Sequence, residues 1–184
     1  ETFAPRSKIV GQTQGIPGFT CYRTVEETFA TAQQLQTLYP HLVEWIDIGD
    51  SWRKIQNSTQ GYDLNVLKLG NLNITEHKPA LFVQSALHAR EYVTAETVTR
   101  FAEFMLAGYG IDPDRTWILD HHQIYLLLQA NPDGRKIAEN ASTQMQRKNR
   151  NANFCSSGST TLGVDLNRNY PFDWGGLNSS PTQC

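Results

Sequence analysis

With 184 residues, 18% of them charged and 39% hydrophobic, the chain has the length and composition of one folded globular domain. Its formal net charge is −2, whereas proteins that bind nucleic acid or anionic membranes through their overall charge are positively charged. Binding of this kind is therefore excluded. A membrane span is not expected either, because no apolar run reaches the roughly 18 residues that a spanning helix requires.

An extended arm and a capped helix are predicted at the start of the chain. Residues 1–19 are rich in Gly, Pro, Gln and Thr without any period, which predicts an extended N-terminal arm. Thr24 and Glu27 have the spacing of a capping box, in which each side chain binds the backbone amide of the other residue. They predict a helix that begins after Thr24 and ends before Pro40.

Four short segments carry strand signals. Residues 42–49 (LVEWIDIG) and 62–70 (YDLNVLKLG) alternate apolar and polar side chains, which predicts two strands paired as a hairpin. Residues 80–86 (ALFVQSA) and 123–130 (QIYLLLQA) are short apolar runs, typical of buried central strands. Between these two runs, apolar side chains recur at helical spacing as far as Gly108 and predict a helix.

The last part of the chain differs in character. Residues 131–184 are dominated by Asn, Ser, Gly and Arg and keep little apolar periodicity, which predicts loops. The predicted order is therefore helix, two paired strands, strand, helix, strand and loops. This order predicts an α/β protein with a mixed central sheet flanked by helices.

His88 and Glu91 form a candidate metal-binding pair. They stand three residues apart, directly after the strand predicted at residues 80–86. Imidazole and carboxylate are ligands of zinc, and ligands in open α/β sheets bind beyond the carboxyl ends of strands. By itself the pair fits equally well a surface histidine followed by a glutamate that the helix dipole stabilises.

Three later segments also carry polar side chains suited to a site. They read NPDG (131–134), QRKNRN (146–151) and GVDLNRNYP (163–171). Taken singly, they are consistent with a turn, a solvated basic face and a polar loop. In the third segment, however, Asn167 and Arg168 are a suitable pair for binding a carboxylate, since a guanidinium offers two parallel donors and an amide adds another.

Taken together, these motifs resemble those of the zinc metallocarboxypeptidases, the family of the pancreatic carboxypeptidases A and B and their bacterial relatives. The resemblance lies in their order along the chain, which is H-x-x-E, NPDG, R-K-x-R and G-V-D-x-N-R-N. The segment TVEETFATAQQLQTLYPHLVEWIDIGDSW is similar to the opening helix and first strand of that family. The resemblance spans nearly all of residues 20–184. It implies that they are the N-terminal portion of a single catalytic domain, whose mixed sheet is truncated before its last strands.

The resemblance implies a role for each matching residue in the zinc site. His88 and Glu91 match two of the three protein ligands of one zinc ion, and Asp165 matches the carboxylate that orients the first histidine. Arg147 matches the arginine that polarises the scissile carbonyl and stabilises the developing oxyanion. The implied reaction is hydrolysis of the last peptide bond of a polypeptide by metal-activated water.

Substrate binding is implied for three further residues. Asn167 and Arg168 match the pair that binds the free carboxylate at a peptide or protein C-terminus, and Arg90 matches an outer substrate subsite. Gln146 departs from the pancreatic members, which carry an aromatic residue at that place. This departure concerns the shape of a subsite and not the chemistry.

The family's third zinc ligand is expected downstream of residue 184, as are its mobile tyrosine and its catalytic glutamate. His121 and His122 are poor substitutes, because they precede a predicted strand and so lie at the opposite edge of the sheet. The chain is therefore expected to resemble the first part of a catalytic domain. By itself it should bind zinc weakly and have little or no peptidase activity.

The cysteines and sequons bear on where the protein works. Cys21, Cys155 and Cys184 allow at most one internal bridge, and the resemblance implies that Cys155 pairs with Cys184. Four N-x-[ST] sequons slightly favour glycosylation and hence export. We therefore expect a secreted protein, extracellular or periplasmic.

Two other functions remain open at this stage. A non-catalytic relative would keep Asn167 and Arg168 and bind peptide C-termini without cutting them. A related zinc amidohydrolase acting on small acylated amino acids is disfavoured by the intact N-R-N and R-K-x-R segments.

Overall fold

The computed structural model describes residues 14–153, 155, 162–172 and 174. Within these residues the elements are, in chain order, α1 (Val25–Leu38), β1 (Val43–Asp50), α2 (Trp52–Gln56), β2 (Asp63–Leu69), β3 (Ala80–Gln84), α3 (Tyr92–Gly108), α4 (Pro113–His121), β4 (Gln123–Leu127), α5 (Pro132–Ala138) and a 3-10 helix (Leu166–Arg168). The predicted α/β class with a mixed central sheet is confirmed.

The four described strands form one sheet in the order β1-β2-β4-β3. The hairpin prediction is confirmed, since β1 and β2 pair antiparallel. β4 pairs antiparallel with β2 and parallel with β3, so it is central, as predicted. The same prediction for residues 80–86 is wrong for the described part of the chain, because β3 lies at the edge and Leu81 and Phe82 are 52% and 57% exposed.

The hydrophobic core lies where the helices pack against the sheet. The capping box predicted for α1 is confirmed, since Thr24 Oγ1 accepts from Glu27 N at 3.1 Å and Glu27 Oε2 accepts from Thr24 N at 3.0 Å. The core combines side chains of α1, α3 and α4 with those of β2 and β4: Ala32, Leu35, Leu67, Leu69, Ala102, Met105, Leu106, Leu119, Ile124 and Leu126. Burial of this apolar surface is the main stabilising contribution.

Helices α2, α4 and α5 were not predicted, and the prediction of loops after residue 130 is wrong for α5. The local signals for α4 and α5 were present, because each begins with an Asx cap followed by proline at the first helical position. In α5, Asn131 Oδ1 accepts from Gly134 N at 3.0 Å. The NPDG segment is therefore the start of a helix and not an isolated turn.

The described end of the N-terminal arm folds back on the domain. Residues 1–13 lie outside the described part of the chain. Ile16 is 1% exposed, its amide donates to Tyr22 O at 2.9 Å, and it packs in a small cluster with Ala89 and Tyr92. The boundary placed after residue 19 stays a prediction. Among the described residues, no helix combines the length and the apolar character needed to cross a membrane.

A buried ion-pair network joins Arg23, just before α1, to α3. The Arg23 side chain is 1% exposed, and its Nη1 lies 2.9 Å from Glu96 Oε1. Glu96 Oε2 also accepts from the Arg23 amide at 3.2 Å, and Arg100 Nε lies 2.7 Å from Glu96 Oε1. Arg23 Nη2 also lies 2.5 Å from Glu103 Oε1. Removing Glu96 is nevertheless costly, because it takes away two of the contacts of a buried guanidinium and its backbone amide and leaves Glu103 as the remaining ionic partner.

We therefore expect Glu96→Ala to lower the free energy of unfolding in urea by about 3 kcal/mol. The matched control is Glu44→Ala, which removes a carboxylate from the exposed pair that Glu44 Oε2 forms with Lys68 Nζ at 3.0 Å. That loss should stay below about 1 kcal/mol. Equal losses in the two variants would contradict this account of the network.

Candidate metal centre

The candidate site is built on the turn between β3 and α3. Ser85 still pairs with the neighbouring strand, its amide donating to Leu127 O at 3.0 Å. The next residue, Ala86, has a φ of 55°, the left-handed region that L-residues other than glycine rarely adopt. This conformation costs about 1–2 kcal/mol, and strain of this kind is found at functional sites. The turn places His88 beyond the carboxyl end of β3.

A hydroxyl group ties the two ends of this turn together. Thr94 Oγ1 accepts a hydrogen bond from Ala86 N at 3.0 Å and donates to Glu91 O at 2.9 Å. In addition, Ala89 N donates to Arg147 O at 3.0 Å, which joins the turn to the later R-K-x-R segment. The strained conformation is therefore fixed by hydrogen bonds at both ends and in the middle.

The two ring nitrogens of His88 face different carboxylates. Nδ1 lies 2.9 Å from Glu91 Oε1 and Nε2 lies 3.1 Å from Asp165 Oδ1, while the residue is only 7% exposed. A proton held on Nε2 by Asp165 leaves the Nδ1 lone pair directed toward Glu91, which is how a carboxylate orients a metal-binding histidine.

The spacing of Nδ1 and Oε1 is close to that of two ligands of one zinc ion. Two atoms that each lie about 2.0–2.2 Å from a tetrahedral zinc ion are about 3.4 Å apart, so the two side chains, now 2.9 Å apart, need to separate by only about 0.5 Å to bind the ion between them. Within the ranges that the structure describes, however, no group of three or more His, Cys, Asp and Glu side chains could hold a metal. His88 and Glu91 are thus suited to be part of a metal site and not the whole of it.

Asp165 joins the histidine to the arginine of the site. Besides facing His88, its Oδ2 accepts from Arg147 Nε at 2.8 Å and its Oδ1 accepts from Asn167 N at 3.0 Å. Burial alone would raise the pKa of Asp165, but hydrogen bonds from Arg147 and His88 outweigh this effect and lower it below its ordinary value. The carboxylate therefore stays ionised at neutral pH. Arg147 Nη1 also lies 3.6 Å from Glu91 Oε1.

Of the residues expected to bind substrate, Arg90 and Asn167 are exposed and Arg168 is half-buried. Asn167 is exposed on the 3-10 helix that Asp165 caps, and Arg168 Nη1 donates to Asn167 O at 2.7 Å. Arg90 is exposed and lines a cleft of about 380 Å³ together with Glu91 and Tyr92. The structure joins His88 to Glu91 and Asp165, and Arg147 to the same two carboxylates, through side-chain contacts. Arg90, Asn167 and Arg168 are close to these residues in the sequence, but they are not part of this set of described side-chain contacts.

The remaining predicted residues are distributed as follows. His121 ends α4 and His122 precedes β4. Because β3 and β4 are parallel, both histidines lie at the amino ends of these strands, whereas His88 lies beyond their carboxyl ends. Cys21 is exposed and free. Cys184 lies outside the described residues, so its pairing with Cys155 stays a prediction.

Sequence reasoning missed the residues that support the turn. Asn131 is 2% exposed and its Nδ2 donates to Leu87 O at 3.2 Å, while Thr94 and Arg135 contact the turn from α3 and α5. The Asx cap of α5 was a usable signal for Asn131. Nothing in the local sequence marks Thr94, because its partner is a backbone amide exposed by the unusual conformation of Ala86.

The comparisons with known proteins agree on one family. The family model described as zinc carboxypeptidase matches residues 28–184. Carboxypeptidase A2 of Mus musculus is 34% identical over 166 residues, which cover 90% of this chain and 36% of the relative. The chain thus spans little more than a third of the length of such relatives.

Solved structures give the same picture. The crystal structure of thrombin activatable fibrinolysis inhibitor superposes with a TM-score of 0.75 and 28% identity, covering 89% of this chain and 38% of that one. Carboxypeptidase A from Helicoverpa armigera superposes with a TM-score of 0.72 and 30% identity, covering 88% and 36%. The described fold therefore corresponds to part of the carboxypeptidase fold.

The hydrogen bonds of Thr94 predict a specific cost for their removal. Thr94→Val keeps the shape of the side chain but leaves Ala86 N and Glu91 O without their partner, so we expect a loss of about 1–2 kcal/mol in unfolding free energy. Thr97→Val makes the same chemical change at an exposed position of α3 and should cost less than about 0.5 kcal/mol. Urea unfolding measures both, and an unchanged stability of Thr94→Val would show that the hydroxyl does not secure the turn.

Proposed function

The chain belongs to the zinc carboxypeptidase family, and from this premise we propose that it carries part of the active site of a zinc-dependent metallocarboxypeptidase, which removes C-terminal amino acids from peptides. The observation that carries the proposal is the geometry at His88, whose Nδ1 faces Glu91 while Nε2 faces Asp165. This is the arrangement of a metal-binding histidine with its orienting carboxylate.

His88 and Glu91 would hold one zinc ion, as imidazole and carboxylate ligands do. The metal, when bound, supplies a water of lowered pKa and polarises the scissile carbonyl. Asp165 keeps a proton on Nε2 of His88 and so leaves Nδ1 free to bind. Because Arg147 lowers the pKa of Asp165, this carboxylate remains an acceptor throughout the neutral range.

Arg147 is the residue proposed to stabilise the oxyanion. Its Nε is fixed by Asp165 at 2.8 Å, while Nη1 lies 3.6 Å from the ligand oxygen of Glu91, beyond ordinary hydrogen-bond distance. One edge of the guanidinium is thus anchored, and the other stays close to the place where a carbonyl would bind. A fixed cation at that place contributes on the order of 3 kcal/mol to transition-state stabilisation.

Asn167 and Arg168 are proposed to bind the free carboxylate of the substrate, and Arg90 to line an outer subsite. Both members of the pair lie on the 3-10 helix that begins at Asp165, so the segment that orients His88 also carries the carboxylate-binding groups. A carboxylate bound one residue beyond the scissile bond would restrict cleavage to the C-terminus. This linkage supports an exopeptidase over an endopeptidase.

The third zinc ligand and the catalytic glutamate are proposed to lie in a segment that corresponds to the part of the relatives that residues 1–184 do not match. In the described part of the chain, β3 is an edge strand with Leu81 and Phe82 exposed. An apolar edge of this kind needs a covering partner. We place the continuation of the sheet, and with it the rest of the catalytic domain, at this edge.

Residues 20–184 are accordingly assigned to one catalytic domain. The protein is proposed to be secreted, with Cys155 and Cys184 forming a disulfide. The proposal for secretion is supported by the four sequons and by the expected bridge, which is typical of oxidising compartments.

A second candidate function rests on the pair Asn167 and Arg168, of which Asn167 is exposed on the 3-10 helix. A non-catalytic relative that binds peptide C-termini through Asn167 and Arg168 would need no metal. It would retain a peptide that ends in a free carboxylate, release the corresponding C-terminal amide, and cleave neither.

Zinc binding tests the ligand assignment. In equilibrium dialysis of the chain against zinc, His88→Ala should weaken binding by about tenfold or more, since loss of a ligand costs at least as much as loss of an orienting partner. His121→Ala removes an exposed histidine at the opposite edge of the sheet and should bind zinc as the wild type does. Unchanged zinc content in His88→Ala would refute the assignment.

Catalysis tests the need for further residues. The purified 184-residue chain, supplied with zinc, should hydrolyse a blocked dipeptide no faster than zinc alone, because the third ligand and the general base are not among its proposed site residues. Release of the C-terminal amino acid is measured by chromatography. Robust hydrolysis by this chain would show that it already contains a complete catalytic set.

A further inference from the structure

Arg135 on α5 is a buried cation that the proposed metal chemistry does not use. The residue is 0% exposed, and its Nε is buried without a hydrogen-bond partner in the described structure. No carboxylate among the described residues forms a salt bridge with it. Burial lowers the pKa of Arg135 to about 10, partly offset by the charges of Glu139 and Glu96, so it remains protonated at neutral pH.

The contacts of Arg135 go to backbone carbonyls on both sides of Glu91. Nη1 donates to Ala89 O at 3.5 Å, and Nη2 donates to Tyr92 O at 3.4 Å and to Arg23 O at 3.5 Å. The guanidinium carbon also lies 4.4 Å from the centre of the Tyr92 ring, within the range of a cation–π contact. The side chain therefore spans the segment that carries the proposed ligands.

Other groups of α5 contact the same segment. Asn131 Nδ2 donates to Leu87 O at 3.2 Å, and the Tyr92 hydroxyl donates to Ala138 O. Through Asn131, Arg135 and Ala138, the first and last turns of α5 contact the chain before His88 and after Glu91. Among these groups, only the Arg135 side chain reaches both Ala89 and Tyr92.

A contribution to stability does not explain why an arginine is buried at this position. A buried charge without a salt bridge carries a desolvation cost that hydrogen bonds of 3.4–3.5 Å offset poorly. Replacing buried ionic groups by apolar side chains of similar size is often neutral or stabilising. Residues that reduce stability and yet hold a site in place are expected where function requires a fixed geometry.

We propose that Arg135 is a positioning residue that holds the turn of His88 and Glu91 in the geometry that binds metal, through the carbonyls of Ala89 and Tyr92 and the face of the Tyr92 ring. The part of this inference that concerns metal rests on the proposed function. The part that concerns the conformation of the turn does not.

The test compares Arg135→Met and Arg135→Lys with Lys136→Met in the 184-residue chain. Lys136 is the matched control because it is the next residue of α5, its side chain is 44% exposed, and its removal changes the net charge equally. Three quantities are measured for each variant: the urea midpoint, amide hydrogen exchange by NMR, and the dissociation constant for zinc by dialysis.

For Arg135→Met we expect a urea midpoint equal to or above that of the wild type. Amides of residues 88–94 should nevertheless exchange about tenfold faster, because the turn opens locally without global unfolding. The zinc dissociation constant should rise about tenfold, as for loss of other groups that orient metal ligands. Arg135→Lys should recover part of both losses, and Lys136→Met should match the wild type in exchange at the turn and in zinc binding.

Two results would overturn the proposal. One is wild-type exchange at residues 88–94 and wild-type zinc binding in Arg135→Met. The other is a lowered urea midpoint with faster exchange to the same extent in β2 and α1, which would make Arg135 a general structural residue. If Arg135→Met does not fold, Arg135→Lys decides in the same way, by faster exchange at the turn than in β2. Equal zinc binding by the wild type and His88→Ala would reject the metal site, while the exchange data would still decide the role of Arg135.

Discussion

The parallel pairing of β3 with β4 is the constraint on which the site depends. Parallel strands end at the same edge of a sheet, so the segments that follow them emerge side by side. Two backbone hydrogen bonds of Ser85 keep the two segments together as they leave the sheet. Ser85 N donates to Leu127 O and Ala130 N donates to Ser85 O, both at 3.0 Å. The turn at Ala86 and the start of α5 therefore meet, and α5 becomes the support of the turn.

A second link brings in the end of the described chain. Asp165 accepts hydrogen bonds from Arg147 and from the backbone of its own 3-10 helix, and it also faces His88. Since Arg147 O in turn accepts from Ala89 N, the carboxylate and the turn are joined by two routes. This arrangement couples the proposed zinc ligand, the proposed oxyanion group and the proposed carboxylate-binding pair, so that a displacement of one would displace the others.

Much of this could be predicted from the sequence, because the signals were local or carried by motifs. The capping box of α1 and the β1–β2 hairpin depend on neighbouring residues and on alternation, and both are present. The candidate site residues were found from motif order, and His88, Glu91, Arg147 and Asp165 are linked by side-chain contacts. Whether a strand is central depends, by contrast, on partners distant in the chain, and β3, predicted to be central, lies at the edge of the four described strands.

The supporting residues could not be predicted for the same reason. Arg135 occurs next to Lys136 in a polar stretch, where a solvated cation is the ordinary expectation, and only the tertiary structure shows that one is buried and the other exposed. Thr94 is a typical residue for the first turn of a helix until the conformation of Ala86 gives it a partner. Local strain of this kind is not encoded in residue type.

The central claim is that Nδ1 of His88 and the carboxylate of Glu91 bind one zinc ion. Anomalous diffraction at the zinc edge, from crystals of the chain grown with zinc, tests it most directly. The account predicts an anomalous peak within about 2.0–2.2 Å of both His88 Nδ1 and a Glu91 carboxylate oxygen, with Asp165 still bound to Nε2. A fully occupied peak at His121 or His122, with none at His88, would contradict it.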